Sequence, residues 1–260
     1  MKVAVLIKQV PATENVKIDP KTGVMVREGL AVEVNPLDLH AIEEAVRIKE
    51  RTPGVSVTAL TMGPPAAAKA ARYAVSMGCD AGVVITDRAF AGSDTLATAR
   101  VLAEAVKKLG PFDLILAGER ATDGETGQVG PLVAALLGVP PLTYVSGLEF
   151  GSAKVEARRA VEGGHERVSA PLPALAVVVK EINSPRLCTL SGKLRGKSAE
   201  IGVMSLADVG LPAEKTGLTG SPTRVVNVSY PKVTRECRKV SADGGGAVEA
   251  MLGFIEEVGV

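Results

Sequence analysis

Tryptophan is absent from this chain, and aromatic residues make up only 3% of its 260 positions. A core must then be built from Val, Leu, Ile and Ala, the composition of buried parallel strands with helices on both faces. Net charge is also missing: 30 Lys and Arg face 29 Asp and Glu, leaving +1. No global field attracts nucleic acid or an anionic membrane, so neither is expected as a partner. No apolar run reaches the length of a membrane span, which excludes helical membrane insertion. The opening Met1-Lys2-Val3-Ala4-Val5-Leu6-Ile7-Lys8 reads as a strand rather than a signal or transit peptide. A cytoplasmic bacterial or archaeal location is expected, or a mitochondrial matrix only after removal of a transit peptide.

Chemistry-bearing side chains are scarce too. Cys79, Cys188 and Cys237 are far apart and odd in number, and no C-x-x-C occurs. Zinc and dithiol redox chemistry are excluded on that pattern, and a reducing compartment fits. The two histidines, His40 in a predicted helix and His165 in the loop Gly163-Gly164-His165-Glu166, have no Ser or Cys near them in a nucleophile context. Both read as surface residues. No catalytic residue and no metal ligand is expected.

What is present is 46% hydrophobic residues, enough for one large domain, or for one domain plus an appendage. Strands and helices alternate over the first ~140 residues, predicting βαβ units and a mostly parallel open sheet. Val16–Ile18 and Val24–Val26 around Asp19-Pro20-Lys21-Thr22-Gly23 predict a hairpin. Asn35-Pro36-Leu37-Asp38 starts a helix, with Asn as N-cap, Pro in the first turn and an acid behind it. Its apolar face is Leu39, Ile42, Ala45 and Val46; Glu43, Glu44, Arg47 and Lys49 form the face expected in water. Val55–Thr61, Gly82–Thr86 and Asp113–Ala117 are strands, separated by the helix Pro65–Met77 and by one that Ser93-Asp94 caps and Gly110 stops. After Pro140, short alternating runs at Leu142–Val145, Lys154–Ala157 and Arg167–Ser169 predict an antiparallel addition to the sheet. Leu175–Val179 reads as the final buried strand.

The most informative stretch follows Asp113–Ala117. Gly118-Glu119-Arg120-Ala121-Thr122-Asp123-Gly124-Glu125-Thr126-Gly127-Gln128-Val129-Gly130-Pro131 leads into the apolar run Leu132–Leu137. Small residues there let backbone N–H groups approach a ligand, and the helix start behind them suits a phosphate. Strand ends of an open α/β sheet are where such ligands bind. The stretch is neither G-x-G-x-x-G nor a Walker A loop, and a turn that exists only to turn is the plain alternative.

The tail is read as an arm. Thr219-Gly220-Ser221-Pro222 is a linker, Val225–Ser229 an alternating strand, Asp243–Gly246 a second break, and Val248–Val258 a terminal helix with Met251, Phe254, Ile255 and Val258 on one face. That helix either docks on a partner or folds back. The expected organisation is a nucleotide-binding α/β domain over 1–216 and a C-terminal arm over 217–260.

Five ordered pieces now coincide: Lys8-Gln9-Val10-Pro11, Asn35-Pro36 before Glu43-Glu44-Ala45, Thr61-Met62-Gly63-Pro64, Ala121–Gly130, and Ser184-Pro185-Arg186-Leu187-Cys188-Thr189-Leu190. Together they resemble the β subunit of the electron transfer flavoprotein family over essentially the whole chain. The resemblance implies a Rossmann-like α/β subunit without catalytic residues of its own. It pairs with an α subunit that holds most of the contacts to one FAD. The pair carries electrons from acyl-CoA and similar flavin dehydrogenases, as in fatty acid oxidation, to a respiratory acceptor. The C-terminal arm would dock on the α subunit.

By position, an AMP pocket would use Leu6, Asn35, Pro36, Leu37, Asp38, Met62 and the run Ala121, Thr122, Asp123, Gly124, Glu125, Thr126, Gly127, Gln128, Val129, Gly130, Pro131 and Leu132. Leu6 and Met62 suit an adenine face, and core packing is their alternative. Pro185, Arg186, Leu187, Thr189 and Leu190 resemble the family's recognition loop, where a leucine enters an apolar pocket of the dehydrogenase. Here Lys193 and Arg195 flank Leu194 where the family more often continues apolar.

Asp123–Pro131 also resembles family members that bifurcate electrons and hold a second FAD in place of AMP, with NADH reacting there; Gly127 stands where those tend to place Ala. AMP is taken first and the second FAD as its rival. The fold alone allows a third reading, a free-standing nucleotide-binding α/β protein. Val10–Val16 is expected near the flavin ring, without the aromatic that family members often carry there.

Overall fold

The computed structural model describes residues 1–12, 31–151, 153–226, 237–241 and 245–259. Two compact units divide it, Met1–Val226 and Asn227–Val260. The hairpin expected at 16–26 lies outside the described residues.

In the first unit, β1 (Lys2–Ile7) is followed by the antiparallel pair β2 (Gln9–Pro11) and β3 (Val32–Val34). Next come α1 (Pro36–Arg51), β4 (Ser56–Met62), α2 (Ala68–Met77, entered through a 3-10 turn at Pro65–Ala67), β5 (Ala81–Ile85) and α3 (Thr95–Leu109). The chain continues as β6 (Leu114–Gly118), α4 (Val129–Leu137), β7 (Pro141–Phe150), β8 (Lys154–Val161), β9 (Gly164–Pro171) and β10 (Ala174–Val178). It closes with α5 (Leu190–Ser198), β11 (Gly202–Met204), α6 (Leu206–Val209) and α7 (Gly217–Gly220). One nine-stranded sheet runs β11-β5-β4-β1-β6-β10-β7-β8-β9. It is parallel from β11 to β7, and β8 and β9 add the expected antiparallel hairpin at one edge.

The central strands are apolar throughout because helices cover both faces. Val3, Val5 and Ile7 of β1 meet Ile42, Ala45 and Val46 of α1 and Ala70 and Ala74 of α2. Their neighbours Ala4 and Leu6 meet Ala99, Leu102 and Val106 of α3 and Val133 of α4 on the other side. The alternation follows from the two-residue side-chain period of a strand. Asp94 caps α3 as expected, its carboxylate accepting the Ala97 N–H at 2.9 Å.

Leu175–Val179 holds the final buried strand, as expected, and the short, mostly exposed β11, which the sequence did not show, follows and pairs with β5 at the opposite edge. Three expectations are corrected. The 219–222 stretch is not a free linker: Ser221 Oγ accepts the Asp94 N–H at 2.8 Å, and Asp94 Oδ2 accepts the Thr223 N–H at 3.0 Å. The compact unit accordingly extends past 216 to Val226. Glu43 and Glu44 do not face water; they are 2% and 4% exposed. Val225 and Val226 are not strand, and the rest of the strand expected there lies outside the described residues.

In the second unit the terminal helix is α8 (Ala247–Val258), one residue longer at its start than expected. Met251, Phe254, Ile255 and Val258 are all at least 38% exposed, and no residue of α8 is buried.

Candidate functional site

From β1 the chain builds outward through β4 to β5, then crosses through α3 to β6 on the other side of β1. The order reverses between β1 and β6, and the carboxyl ends of those strands open a crevice there. Register sets Leu6 beside both Leu60 of β4 and Ala117 of β6. Leu6 is 5% exposed and packs in the α3–α4 layer, so it floors the crevice. Met62, at the end of β4, is half-buried against the same layer.

The start of α1 forms one wall. Asn35 is fully buried, and its side chain makes no cap bond to the helix. It reaches across instead: Oδ1 accepts the Thr122 N–H at 3.1 Å and Nδ2 donates to the Arg120 carbonyl at 2.9 Å. Pro36 is exposed and Leu37 half-buried. Asp38 is buried, and its Oδ2 accepts the Lys8 N–H at 2.7 Å. Burial pushes the Asp38 carboxyl up to about 7, against the opposing pull of hydrogen bonds from Asn35, Lys8 and Gly118 and of the Lys8 charge. Gly118 is required beside it, because a Cβ there would stand 2.4 Å from Asp38 Oδ1 and 2.7 Å from the Leu37 carbonyl carbon.

The loop after β6 forms the lip. The Ala121 carbonyl accepts the N–H groups of Gly124 and Glu125, closing a tight turn. Glu125 (φ 50°) and Gly127 (φ 63°) adopt the left-handed conformation that glycine accepts most readily. The N–H groups of Thr126, Gly127 and Gln128 donate to no protein acceptor among the described residues. Those of Val129 and Gly130, in the first turn of α4, have no acceptor within the helix. Five consecutive amides are therefore available to an anion, at a helix start that favours negative charge. Gln128 Oε1 accepts the Thr95 hydroxyl at 2.9 Å, fastening the lip to α3. Lys8 Nζ lies 2.6 Å from Asp123 Oδ1 and fastens it to β1. Pro131 and Leu132 are half-buried on α4, and Gly130 brings that helix onto β10, where a Cβ would meet Val177 at 2.5 Å.

The expected pocket residues thus share one edge of the sheet. Lys8 and Thr95 join them and were not expected there. Lys8-Gln9 after a strand carried a sequence signal; Thr95 acts through a spatial neighbour. Two surface cavities of about 310 and 260 Å³ lie elsewhere, the second beneath the Arg186–Arg195 stretch.

That stretch is the expected docking loop. Leu187 and Leu190 are 88% and 76% exposed, and Leu194 is 61% exposed. Between the first two, Cys188 turns inward against the core. Pro185 is half-buried and Thr189 caps α5, its hydroxyl accepting the Gly192 N–H at 3.0 Å. Gly192 and Gly196 seat α5 against α2, where a Cβ would meet Ser76 at 2.3 Å and 2.0 Å. Arg195, which flanks Leu194, donates to the Val75 carbonyl at 2.7 Å. Arg186 holds the two carboxylates Glu43 and Glu50. Burial raises Glu43, but Arg186 and Arg47 outweigh it and hold the carboxyl below its usual range. His40, expected at the surface, is half-buried with Nδ1 3.1 Å from the Asn183 carbonyl.

Among the described residues no group of His, Cys, Asp and Glu is arranged to hold a metal, and no helix is long and apolar enough to cross a membrane.

Residues 22–209 match the family model described as "Electron transfer flavoprotein domain". The chain is 43% identical to caffeyl-CoA reductase-Etf complex subunit CarD of Acetobacterium woodii, over 89% of this chain and 88% of that one. It is 42% identical to the electron transfer flavoprotein subunit beta of Thermoanaerobacterium thermosaccharolyticum, over 90% of each. It is 40% identical to protein FixA of Bradyrhizobium diazoefficiens, over 89% of this chain and 83% of that one.

Proposed function

The chain belongs to the electron transfer flavoprotein family, and from that premise we propose that it is the β subunit of a heterodimeric carrier with an adenylate in the switch-point crevice. The observation that supports the adenylate is the run of unpaired amides from Thr126 to Gly130, set between a strand end and a helix start. The donor set fits a phosphate: N–H dipoles, the partial positive charge of α4, and Lys8 on the rim. Leu6 floors the purine, Met62 lines its edge, and Asn35 holds the lip in place through Arg120 and Thr122. AMP is the first occupant.

FAD, mainly held by an α subunit, supplies the redox chemistry when bound. This chain's own residues bind and orient. The lip and α1 shape the β side of the flavin cleft; of the stretch 10–16 expected near the ring, residues 13–16 lie outside the described residues. Leu187 and Leu190 present apolar anchors to a dehydrogenase. A few buried anchors in a small interface give specificity with short residence, which suits a shuttle. The donors are flavin dehydrogenases acting on CoA thioesters, of the acyl-CoA type used in fatty acid oxidation. The name of the Acetobacterium relative, a caffeyl-CoA reductase complex, supports a partner that acts on CoA thioesters. The carrier works in the cytoplasm and passes electrons to a respiratory acceptor.

A second reading places a second FAD in the same crevice, in a bifurcating complex that uses NADH. It is supported by the resemblance of Asp123–Pro131 to family members that bifurcate electrons. One experiment separates the two. The chain is co-expressed with α-subunit candidates, the complex is purified and denatured, and the released nucleotides are identified by mass. One AMP and one FAD per heterodimer support the first reading. Two FAD, with bleaching by NADH, support the second. A stable monomer without nucleotide overturns both and leaves a free-standing protein of this fold.

A further inference from the structure

An exposed leucine anchor is useful only if the loop that carries it is already in shape, because ordering a floppy segment on contact consumes the affinity gained. Leu187 is 88% exposed and Leu190 76%. Leu187 sits beside Arg186, which is fastened to the body, and Leu190 beside Thr189, which caps α5. Arg186 is the stronger fastening. Its Nε donates to Glu43 Oε2 at 2.8 Å and its Nη2 to Glu43 Oε1 at 3.2 Å. Nη2 also reaches Glu50 Oε2 at 2.9 Å, and Nη1 reaches Glu50 Oε1. The backbone N–H of Arg186 donates to Glu43 Oε2 at 3.1 Å. The planar fork is thus used on two sides at once, which the point charge of a lysine cannot reproduce.

Glu43 is 2% exposed and stands on α1, 143 residues away in sequence. Arg47 completes it from the same helix at 2.7 Å. A buried carboxylate is retained only with partners that satisfy it, and Arg186 is half of that set. Two and three residues earlier in the loop, the Ser184 carbonyl lies 3.5 Å from Arg47 Nη2, and Asn183 Nδ2 donates to the His40 carbonyl at 3.0 Å and to Glu44 Oε2 at 3.1 Å. The approach to the leucines is thus bound to α1 side chain by side chain.

We infer that Arg186 is a positioning residue for electron uptake: by clamping Glu43 and Glu50 it presets Leu187 and Leu190 for the dehydrogenase and does not itself carry the contact. This rests on the docking reading proposed above and adds to it the device that holds the loop in its docking shape. In the family resemblance Arg186 fell among the residues facing the partner; here its charge is spent inward on Glu43 and Glu50.

The test uses the whole heterodimer and the acyl-CoA dehydrogenase that reduces it fastest among a panel. Arg186→Gln is expected to raise the KM for the carrier about 10-fold, with kcat at saturation within about two-fold and unchanged flavin content. Arg186→Lys restores charge without the fork and is expected to recover less than half of that loss. Glu50→Gln, at an exposed carboxylate, is the milder variant and is expected to raise KM two- to three-fold. Leu190→Ala serves as the docking control. If Leu190→Ala raises KM while Glu50→Gln and both Arg186 variants do not, the positioning role is overturned and docking stands. If none of the four moves KM, the docking reading itself fails. Loss of flavin and of uptake in parallel, in Glu50→Gln as well as Arg186→Gln, overturns the inference by making the clamp an element of the fold alone.

Discussion

Lys8 Nζ stands 2.6 Å from Asp123 Oδ1, joining the end of β1 to the tip of the lip across 115 residues of sequence. The Asp123 side chain is 5% exposed and that of Lys8 42%, so the acid is sheltered while its partner keeps one side in water. Such a pair is screened less than an open surface bridge. Its work is to hold the lip over the crevice.

Asp123→Asn is expected to loosen the lip at a cost of about 1 kcal/mol. Nucleotide retained after gel filtration, measured as a ratio to flavin, should fall several-fold. Retention equal to the wild type would remove Lys8 and Asp123 from the account of binding.

Gly127→Val places a β-branched residue at φ 63°, where the cost is conformational, since the nearest atom to an added Cβ is the Glu119 carbonyl at 3.6 Å. The left-handed region costs a non-glycine residue about 1–2 kcal/mol. A drop in nucleotide content and in heterodimer yield is expected on co-expression. A normal adenylate stoichiometry by mass would contradict it.

Gly118→Ala acts by collision instead, driving a methyl into Asp38 and the backbone of α1. Overpacking of this kind costs about 1–3 kcal/mol, and the crevice should widen as α1 is pushed away. Thermal unfolding of the heterodimer should begin at lower temperature, with and without added nucleotide. An unchanged midpoint would show that α1 yields freely.

The buried Asp38 makes stability depend on pH. Its carboxyl is raised from 3.8 to about 7 in the folded chain, so the folded state favours the protonated form. Its contribution is complete below pH 3.8 and is lost progressively as pH rises through 7, at up to about 1.4 kcal/mol per unit. Asp38→Asn should flatten the unfolding midpoint between pH 4 and 7 relative to wild type. Parallel profiles for the two proteins would show that Asp38 does not titrate in that window.

Leu190→Ala should raise the KM for a reducing dehydrogenase while leaving flavin and nucleotide in place, because the side chain is 76% exposed and supports nothing in the fold. Full burial of a leucine in a partner is worth about 1.5–3 kcal/mol, or a ten- to hundred-fold change. Unchanged turnover at low carrier concentration would refute its anchoring role.

The central strands, the Asp94 cap and the edge shared by Leu6, Asn35, Met62 and Ala121 were legible because each is a local pattern: an apolar run, a capping residue, a strand end. Glu43 and Glu44 were misread for a physical reason. Helical periodicity assigns a carboxylate to water unless a cation lies opposite, and the cation for Glu43 is supplied by Arg186, 143 residues on. Asn35 had the residue type of a helix cap, but a longer-range use of the same oxygen and nitrogen prevailed. β11 is three residues of Gly-Val-Met, too short to show a period. Ser221 looked like linker composition, and it takes a fixed place through Asp94 and the Gly217 carbonyl.

The position of β1 carries a consequence for synthesis. β1 lies in the middle of the sheet, with Val3–Leu6 paired on one side to Leu114–Ala117, which are made much later. Until about half of the chain has been made, that side of β1 has no neighbour and its polar backbone edge must wait in water or on a chaperone. An adenylate bound where we propose could not assist early folding, because its place does not exist before residue 130 emerges. It could only lock a body already assembled, so its loss would be most costly in the finished protein and invisible in a nascent one.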